Sequence, residues 1–580
     1  MNKTYFNLAD YVTTPLSNYF QEEGKWQRLE YEAKGEKGLG LVAGRVIDAG
    51  EAVIDLKVKG WHKIYLALGT IGGQSEMQIS LSNGGGKTIV APTNIDVVEG
   101  VFRWQGYDYV EESFFKAVDL TDNKIILKQA QNLESMPCAV IFYIRLEEMS
   151  EKEVEEYKNS RNEKRIMYHF DQDYFAECDF NCSEDFLGRL NMLEDGNGEI
   201  IIHEVFNEAY YDVNYNSDKT PWESTGKRVE NVKKALLMKD DIHKALADRA
   251  HKLGMKIYAG HRITTSDFVY AYNPNLYNDG TVDKYPEYSC KTRDGRAIKV
   301  LSFAFDKVQD LSIEKIVNNL PDNYDGVSLF FHRGLYIAFE QPVIDEVMKR
   351  YGVDARRLPR SDYRYHTVAC EFITNYIRKL KFALKEKAEK LNHEDYKINL
   401  VVLFDATATK YYGCDVEILL KEKLIDSVSQ GLMTHFEEID DCLDGDGLID
   451  MDKYINKRNK KFVQRRYFGD DSEHVCAGIK EFLEIQKKYG GDFYAALGWE
   501  NKDYQYQLDL AKYIYNAGAE KIISWNANHI AKYGSKLEGV KSCGNKEKIL
   551  KGECKVVSDN FRVISLNGND ISEFDPNWRG

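Results

Sequence analysis

The sequence predicts an α/β protein: a parallel (β/α)₈ barrel with an N-terminal antiparallel β-sandwich and a short C-terminal β extension. Three observations predict it. Residues 25–146 read as short β-rich runs broken by turn signals, a sandwich pattern. Beyond about residue 160, β-rich segments alternate with amphipathic helical stretches, and eight strand candidates follow one another in that region. The 580 residues, 43% of them hydrophobic, supply a large core and rule out a disordered or collagen-like chain.

In chain order, the sandwich is expected over residues 1–150, on runs such as AVIDLKVKGW, KIYLALG, EMQISLSNGGG, KIILKQA and AVIFYIRLEEM. The charged stretch SEKEVEEYKNSRNEKR marks a linker helix over 151–163. The barrel is expected over 164–538, with strands at 165–170, 199–206, 255–262, 325–333, 398–404, 424–433, 492–499 and 521–527. Helical stretches near 184–194, 239–253, 311–320, 361–392, 413–423, 473–489 and 503–518 lie between them. Residues 539–580, with CKVVSD and FRVISLNG, are expected to add an accessory strand pair.

Charge and composition exclude several functions. Lys plus Arg number 78 against 93 Asp plus Glu, and this net charge of −15 repels nucleic-acid backbones. The first residues lack the apolar core of a signal peptide, and the apolar runs Leu400–Phe404 and Ala139–Ile144 are too short to span a bilayer. Ten scattered cysteines suit a reducing compartment. A cytoplasmic protein with neither nucleic acid nor membrane as partner is expected, its self-association left open. SNGGGKT (82–88) lacks the first glycine of a phosphate loop and DGDGLID (444–450) lacks the end ligands of a calcium loop, while Cys178 and Cys182 have no second pair nearby. No cofactor is called for.

Long connections after the second, third and sixth strands (207–238, 262–310, 434–472) place a site on the C-terminal face of the barrel. At the strand ends stand His169 and Asp171, His261 and Arg262, His332 and Arg333, Asp405, His435 and Glu437, Trp499 and Glu500, then Trp525, Asn526 and His529. Five of the 12 histidines gather there, with Trp499 and Trp525. Polar groups for hydroxyls beside flat indoles for an apolar ring face make a carbohydrate pocket. Cleaving a glycoside takes two carboxyl groups across the scissile bond, and the candidates are Glu340, Asp405, Glu437 and Glu500. A carboxyl packed on an indole is desolvated, the condition a general acid needs, and Glu500 follows Trp499. Two other readings stay open: a metal-dependent barrel hydrolase or isomerase using His169, Asp171, His261 and His332, and a sugar-binding protein without turnover.

Blocks in a fixed order carry a family resemblance. They are YDGVSLFFHRG (324–334), FEQPV (339–343), KRYGVD (349–354), YGCDVEILLKEKLID (412–426) and AGAEKIISWN (517–526). In them the chain resembles the bacterial family 10 glycosylhydrolase-like proteins, a TIM-barrel group distinct from the family 10 xylanases. GWHKIY (60–65) and FKAVDL (115–120) are also similar to the region preceding such barrels. The resemblance implies a glycosidase or a close relative acting on a carbohydrate, and the lack of an export signal makes an imported oligosaccharide or small glycoside the expected substrate. Phe330 stands where many members carry an acid, which leaves Glu340 as the nearest carboxylate. Because barrel glycosidases resemble each other in placing their acids after strands 4 and 7, Glu340 and Glu500 are the expected pair, with Asp405 the substitute. His261, Arg262, His332, Arg333, Glu437, Trp499, Trp525 and Asn526 are expected to bind the sugar.

Overall fold

Eight parallel strands, each too apolar to face water, close into a barrel: β1 (Ile166–Phe170), β2 (Gly198–Glu204), β3 (Lys256–Arg262), β4 (Gly326–Phe330), β5 (Lys397–Val402), β6 (Ser427–Gln430), β7 (Asp492–Ala496) and β8 (Lys521–Ser524). β8 closes on β1 with Ile166 opposite Ile522. The structure, a computed structural model, describes residues 2–17, 22, 24–43, 49–69, 76–84, 86–92, 95–98, 101–104, 109–130, 139–159, 163–170, 183–194, 196–204, 241–263, 281–331, 337–431, 472–497, 504–530, 534–556, 558–567 and 569–570. All eight expected strands are present among them, at slightly shorter bounds.

Side chains alternate across each strand, and in a barrel both faces are buried. One set fills the interior: Met167, Ile200, Ile202, Tyr258, Phe330, Val401, Tyr494, Ala496, Ile523 and Trp525 form one apolar cluster. The other set, including Ile201, Ile257, Val327, Leu329, Ile398 and Leu400, joins the core beneath the helices. A polar layer interrupts the interior. Asn399 donates to Ser328 Oγ at 2.7 Å, while Ser427 and Ser429 donate to its carbonyl oxygen at 2.9 and 3.0 Å. These buried polar atoms satisfy one another, so the layer sits in the core without the cost of orphaned groups.

The helices begin and end where side chains allow. Asp362 accepts from the Arg364 N–H and opens Tyr363–Leu391, which stops at Asn392 with φ 51°. Gln341–Tyr351 carries Pro342 in its first turn and ends on Gly352 at φ 66°. Among the described residues no helix is long and apolar enough to cross a membrane. The expected linker helix is Glu151–Asn159, and it buries no residue.

The N-terminal quarter of the chain builds two antiparallel sheets. One has four strands, ordered Ala52–Ile54, Ile125–Gln129, Met77–Leu81, Thr88–Val90. In the other, Ala139–Glu148 pairs with both Glu36–Ala43 and Trp61–Gly69. Ser558–Leu566 lies between Gln27–Ala33 and Tyr109–Asp119, with Val110 opposite Phe561 and Tyr31 opposite Leu566. The ladder therefore returns on itself through the C-terminal strand. Its interior is apolar: Leu29, Tyr31, Val110, Val140, Phe142 and Val563 pack together, and the rings of Tyr143 and Phe561 stack at 6.2 Å. This corrects the expectation of a separate C-terminal strand pair. The tail begins with helices Gly534–Cys543 and Lys546–Lys551, and its strand is an interior strand of the N-terminal sheet. Only there can Val563 be buried and both strand edges be paired.

Candidate active site

At the C-terminal end of the barrel, alternation decides which residues meet. On β2, Ile200, Ile202 and Glu204 share the inward parity, and on β3 Tyr258, Gly260 and Arg262 do. Glu204, 3% exposed, and Arg262 form an ion pair, Nε to Oε2 at 2.8 Å and Nη2 to Oε1 at 3.1 Å. His169 at the end of β1 approaches the same carboxylate, Nε2 to Glu204 Oε1 at 2.8 Å. The His169 ring is held between Trp525 and Phe330, with centroids 4.8 and 5.3 Å away. Trp525 is fixed in turn by donating its indole N–H to the Gln430 carbonyl at 3.2 Å. The Asn526 backbone N–H reaches His169 Nδ1 at 3.3 Å, from a residue at φ 50°. Left-handed backbone there suits Asn better than most residues.

Gly260 makes the room for this arrangement. A Cβ there would lie 2.9 Å from the Phe330 ring and 3.1 Å from the Glu204 Cα. The glycine lets Phe330 and Glu204 pack side by side over β3. A carboxylate this buried needs compensation, and the guanidinium supplies it with one charge-assisted hydrogen bond from Nη2 and a close ion-pair contact from Nε. The result is a buried carboxyl–guanidinium pair at the C-terminal end of the barrel, beside a His169 ring flanked by one indole and one phenyl ring.

Several expected site residues stand elsewhere. His261 has the outward parity on β3, so it leaves the mouth to Arg262 and turns toward the helices. It is nearly buried, and its Nε2 has no hydrogen-bond partner among the described residues. Burial, then the charge of Lys315, pushes its imidazole down to about 3. Its parity on β3 sets it on the opposite face of the strand from Arg262. Among the described residues no three His, Cys, Asp or Glu side chains gather in a metal-binding group.

Glu340, the expected acid, is wholly buried, and both its oxygens accept from the Ala338 N–H at 3.0 Å, with Oε1 also accepting from the Lys291 N–H at 3.2 Å. Burial pushes its carboxyl up, against the backbone N–H bonds that favour the ionised form. It ties the hairpin of Ser289–Lys291 and Ala297–Leu301 to the start of helix Gln341–Tyr351. It is a brace with no face on the mouth. Asp405 is the N-cap of helix Ala406–Tyr411, accepting from the Ala408 N–H at 2.5 Å. Arg262 ends β3, and Trp525 and Asn526 directly follow β8, with Asn526 meeting His169 through its backbone. His332, Arg333, Glu437, Trp499 and Glu500 lie outside the described residues, as do Asp171 and His435.

Glu204 is the functional candidate that sequence reasoning missed. The available signal was its place near the end of the strand candidate 199–206, two residues after Ile202 and four after Ile200. His203 beside it faces outward, its Nδ1 3.0 Å from the Tyr324 hydroxyl.

No family model matches the chain, and no curated protein matches it. Solved structures do resemble it, among them glycoside hydrolases. The glycoside hydrolase domain of PgaB (BpsB) from Bordetella bronchiseptica is 12% identical, over 66% of this chain and 98% of that one, with a TM-score of 0.40. The α-galactosidase TtGalA from Thermus thermophilus is 10% identical over 89% and 94%, with a TM-score of 0.33. A two-module xylanase of Clostridium thermocellum is 11% identical over 93% and 98%, with a TM-score of 0.30. Likenesses this distant say nothing of what the chain does.

Proposed function

We propose that the chain is a glycoside hydrolase that cleaves a glycosidic bond in an oligosaccharide or small glycoside. One observation carries the reading: a carboxylate, Glu204, stands at the C-terminal mouth of a closed eight-stranded barrel, fixed by Arg262 and His169 beside the Trp525 indole. Hydrolysis through an oxocarbenium-like state needs one ionised carboxylate facing the anomeric carbon and one carboxyl that protonates the leaving oxygen. Glu204 takes the first role. Glu500, which follows β7 by four residues in the sequence, takes the second, with Glu437 its substitute. Trp525 backs the site by packing on His169, and Trp499, His332 and Arg333 are proposed to complete the pocket.

A second reading has one observation in its favour. Both Glu204 oxygens are already engaged by protein groups, which suits a fixed charge in a sugar-binding protein without turnover. Turnover of a broad glycoside and oligosaccharide panel separates the two, using wild type beside Glu204→Gln and Glu500→Gln, each with and without chelator. Product that survives chelator and disappears in both variants supports the hydrolase. Ligand-induced thermal stabilisation without product supports the binding protein. Product lost only with chelator would replace both by metal-dependent chemistry.

A further inference from the structure

We propose that His169 is a positioning residue for Glu204, locked by the Asn526 backbone amide into the tautomer that donates from Nε2, and is not a proton-transfer group. The proposal rests on the reading of Glu204 as the working carboxylate at the barrel mouth. A neutral imidazole has one donor and one acceptor nitrogen. The Asn526 N–H points at Nδ1 from 3.3 Å, so Nδ1 must present its lone pair. The proton then sits on Nε2, where it meets Glu204 Oε1 at 2.8 Å. Both nitrogens are thereby spent on the protein, and neither is left to exchange a proton with a substrate.

The surroundings enforce this choice. Trp525 and Phe330 hold the ring plane, and a ring flip would set Cε1 against the carboxylate and Cδ2 against the Asn526 amide, losing both bonds. The amide that selects the tautomer belongs to the turn directly after β8, while the carboxylate ends β2. Neither contact can be made by a neighbour in sequence. Asn526 stands at φ 50°, and this left-handed turn is what aims its N–H back at β1. Arg262 holds the second oxygen of Glu204 in an ion pair at 2.8 Å, so each carboxylate oxygen has a positively charged or donating neighbour. A group held by donors on both sides is pre-organised before any ligand arrives.

The test reads the tautomer first. Full-length protein labelled with ¹⁵N-histidine gives long-range ¹H–¹⁵N spectra in which the two tautomers differ plainly. The His169 signals among the 12 histidines are assigned by their loss in His169→Gln. His169→Asn serves the same purpose should the first variant fail to fold. A protonated Nε2 with a bare Nδ1 is expected, and it persists in Asn526→Gly, which keeps both the amide and the left-handed turn. A protonated Nδ1, or protons on both nitrogens, would overturn the proposal. The second reading is the pH profile of kcat/KM on any substrate the panel finds. His169→Gln, whose amide still donates toward Glu204, is expected to lose on the order of tenfold in kcat through misplacement while keeping both limbs of the profile. A missing limb would make His169 an acid or base and overturn the assignment. If the panel gives no product, the hydrolase reading fails there, while the tautomer still decides the proposal on its own.

Discussion

Replacing His261 by leucine should make the protein less sensitive to acid while leaving the proposed carbohydrate site at the barrel mouth undisturbed. The imidazole is nearly buried, with Nε2 unpartnered among the described residues, and its proton affinity is pushed down to about 3 from the ordinary 6.5. Above pH 6.5 neither the folded nor the unfolded chain protonates it, so it contributes no pH dependence there. As pH falls below 6.5 the unfolded chain takes up a proton that the fold refuses, and stability is lost through this window down to about pH 3. The difference implies a loss of roughly 2 kcal/mol by pH 5 from this residue alone. His261→Leu removes it and also removes an unsatisfied buried nitrogen, itself a cost of about 1–3 kcal/mol. Urea unfolding at pH 7.5, 6 and 5, compared between wild type and variant, reads the effect as a gap in midpoint that widens toward acid. His203 and His243 are also held neutral by burial, but they contribute equally to both proteins and cancel in the difference. Parallel midpoints across the three pH values would refute the placement of His261 behind the sheet, as would loss of ligand binding in a folded variant.

Other expected outcomes follow from the same geometry. Arg262→Met leaves the Glu204 charge buried and uncompensated, costing about 3–5 kcal/mol by denaturant unfolding, and adding Glu204→Gln should recover most of the loss. Glu340→Ala orphans the N–H groups of Ala338 and Lys291 and should cost on the order of 1–3 kcal/mol for each group left without a partner, as a stability defect and not a selective loss of turnover. Glu500→Gln should abolish turnover at an unchanged melting temperature. Truncation before Ser558 removes an interior strand and exposes the edges of Gln27–Ala33 and Tyr109–Asp119, so the shortened chain should aggregate where the full chain does not, as light scattering would show.

The barrel was legible because its signal is local. Eight apolar runs bounded by helical sequence each fall on a strand, and caps such as Asp362 and Gly352 sit where helices begin and end. The destination of the C-terminal strand was not legible, since pairing Val110 with Phe561 joins residues more than 400 positions apart. FRVISLNG announces a strand but carries nothing that selects its neighbours. Only the completed N-terminal sheet, with a gap between two strands and an apolar interior needing Val563, gives that segment its place.

The site shows a sharper limit. Pairs of polar residues end several barrel strands, and strand alternation allows just one of each pair to face the mouth. His203-Glu204 and His261-Arg262 are two such pairs, and in both it is the second residue that turns inward. In a half-exposed strand, alternating polar and apolar residues would reveal which one. β2 hides it because Ile200, Ile201 and Ile202 are all apolar, as a strand buried on both faces requires. The parity is readable only where a polar residue is forced into the interior, as Asn399 is on β5, or where a glycine marks a crowded approach, as Gly260 does on β3. Gly260 sets the phase of its strand: if it faces in, so does Arg262, and a buried guanidinium then demands a carboxylate within reach across the neighbouring strand. The end of β2 offers Glu204 for that role. The missing residue could thus have been found from a charge that needed a partner, a stronger constraint than the chemistry of the sugar the strand ends were expected to bind.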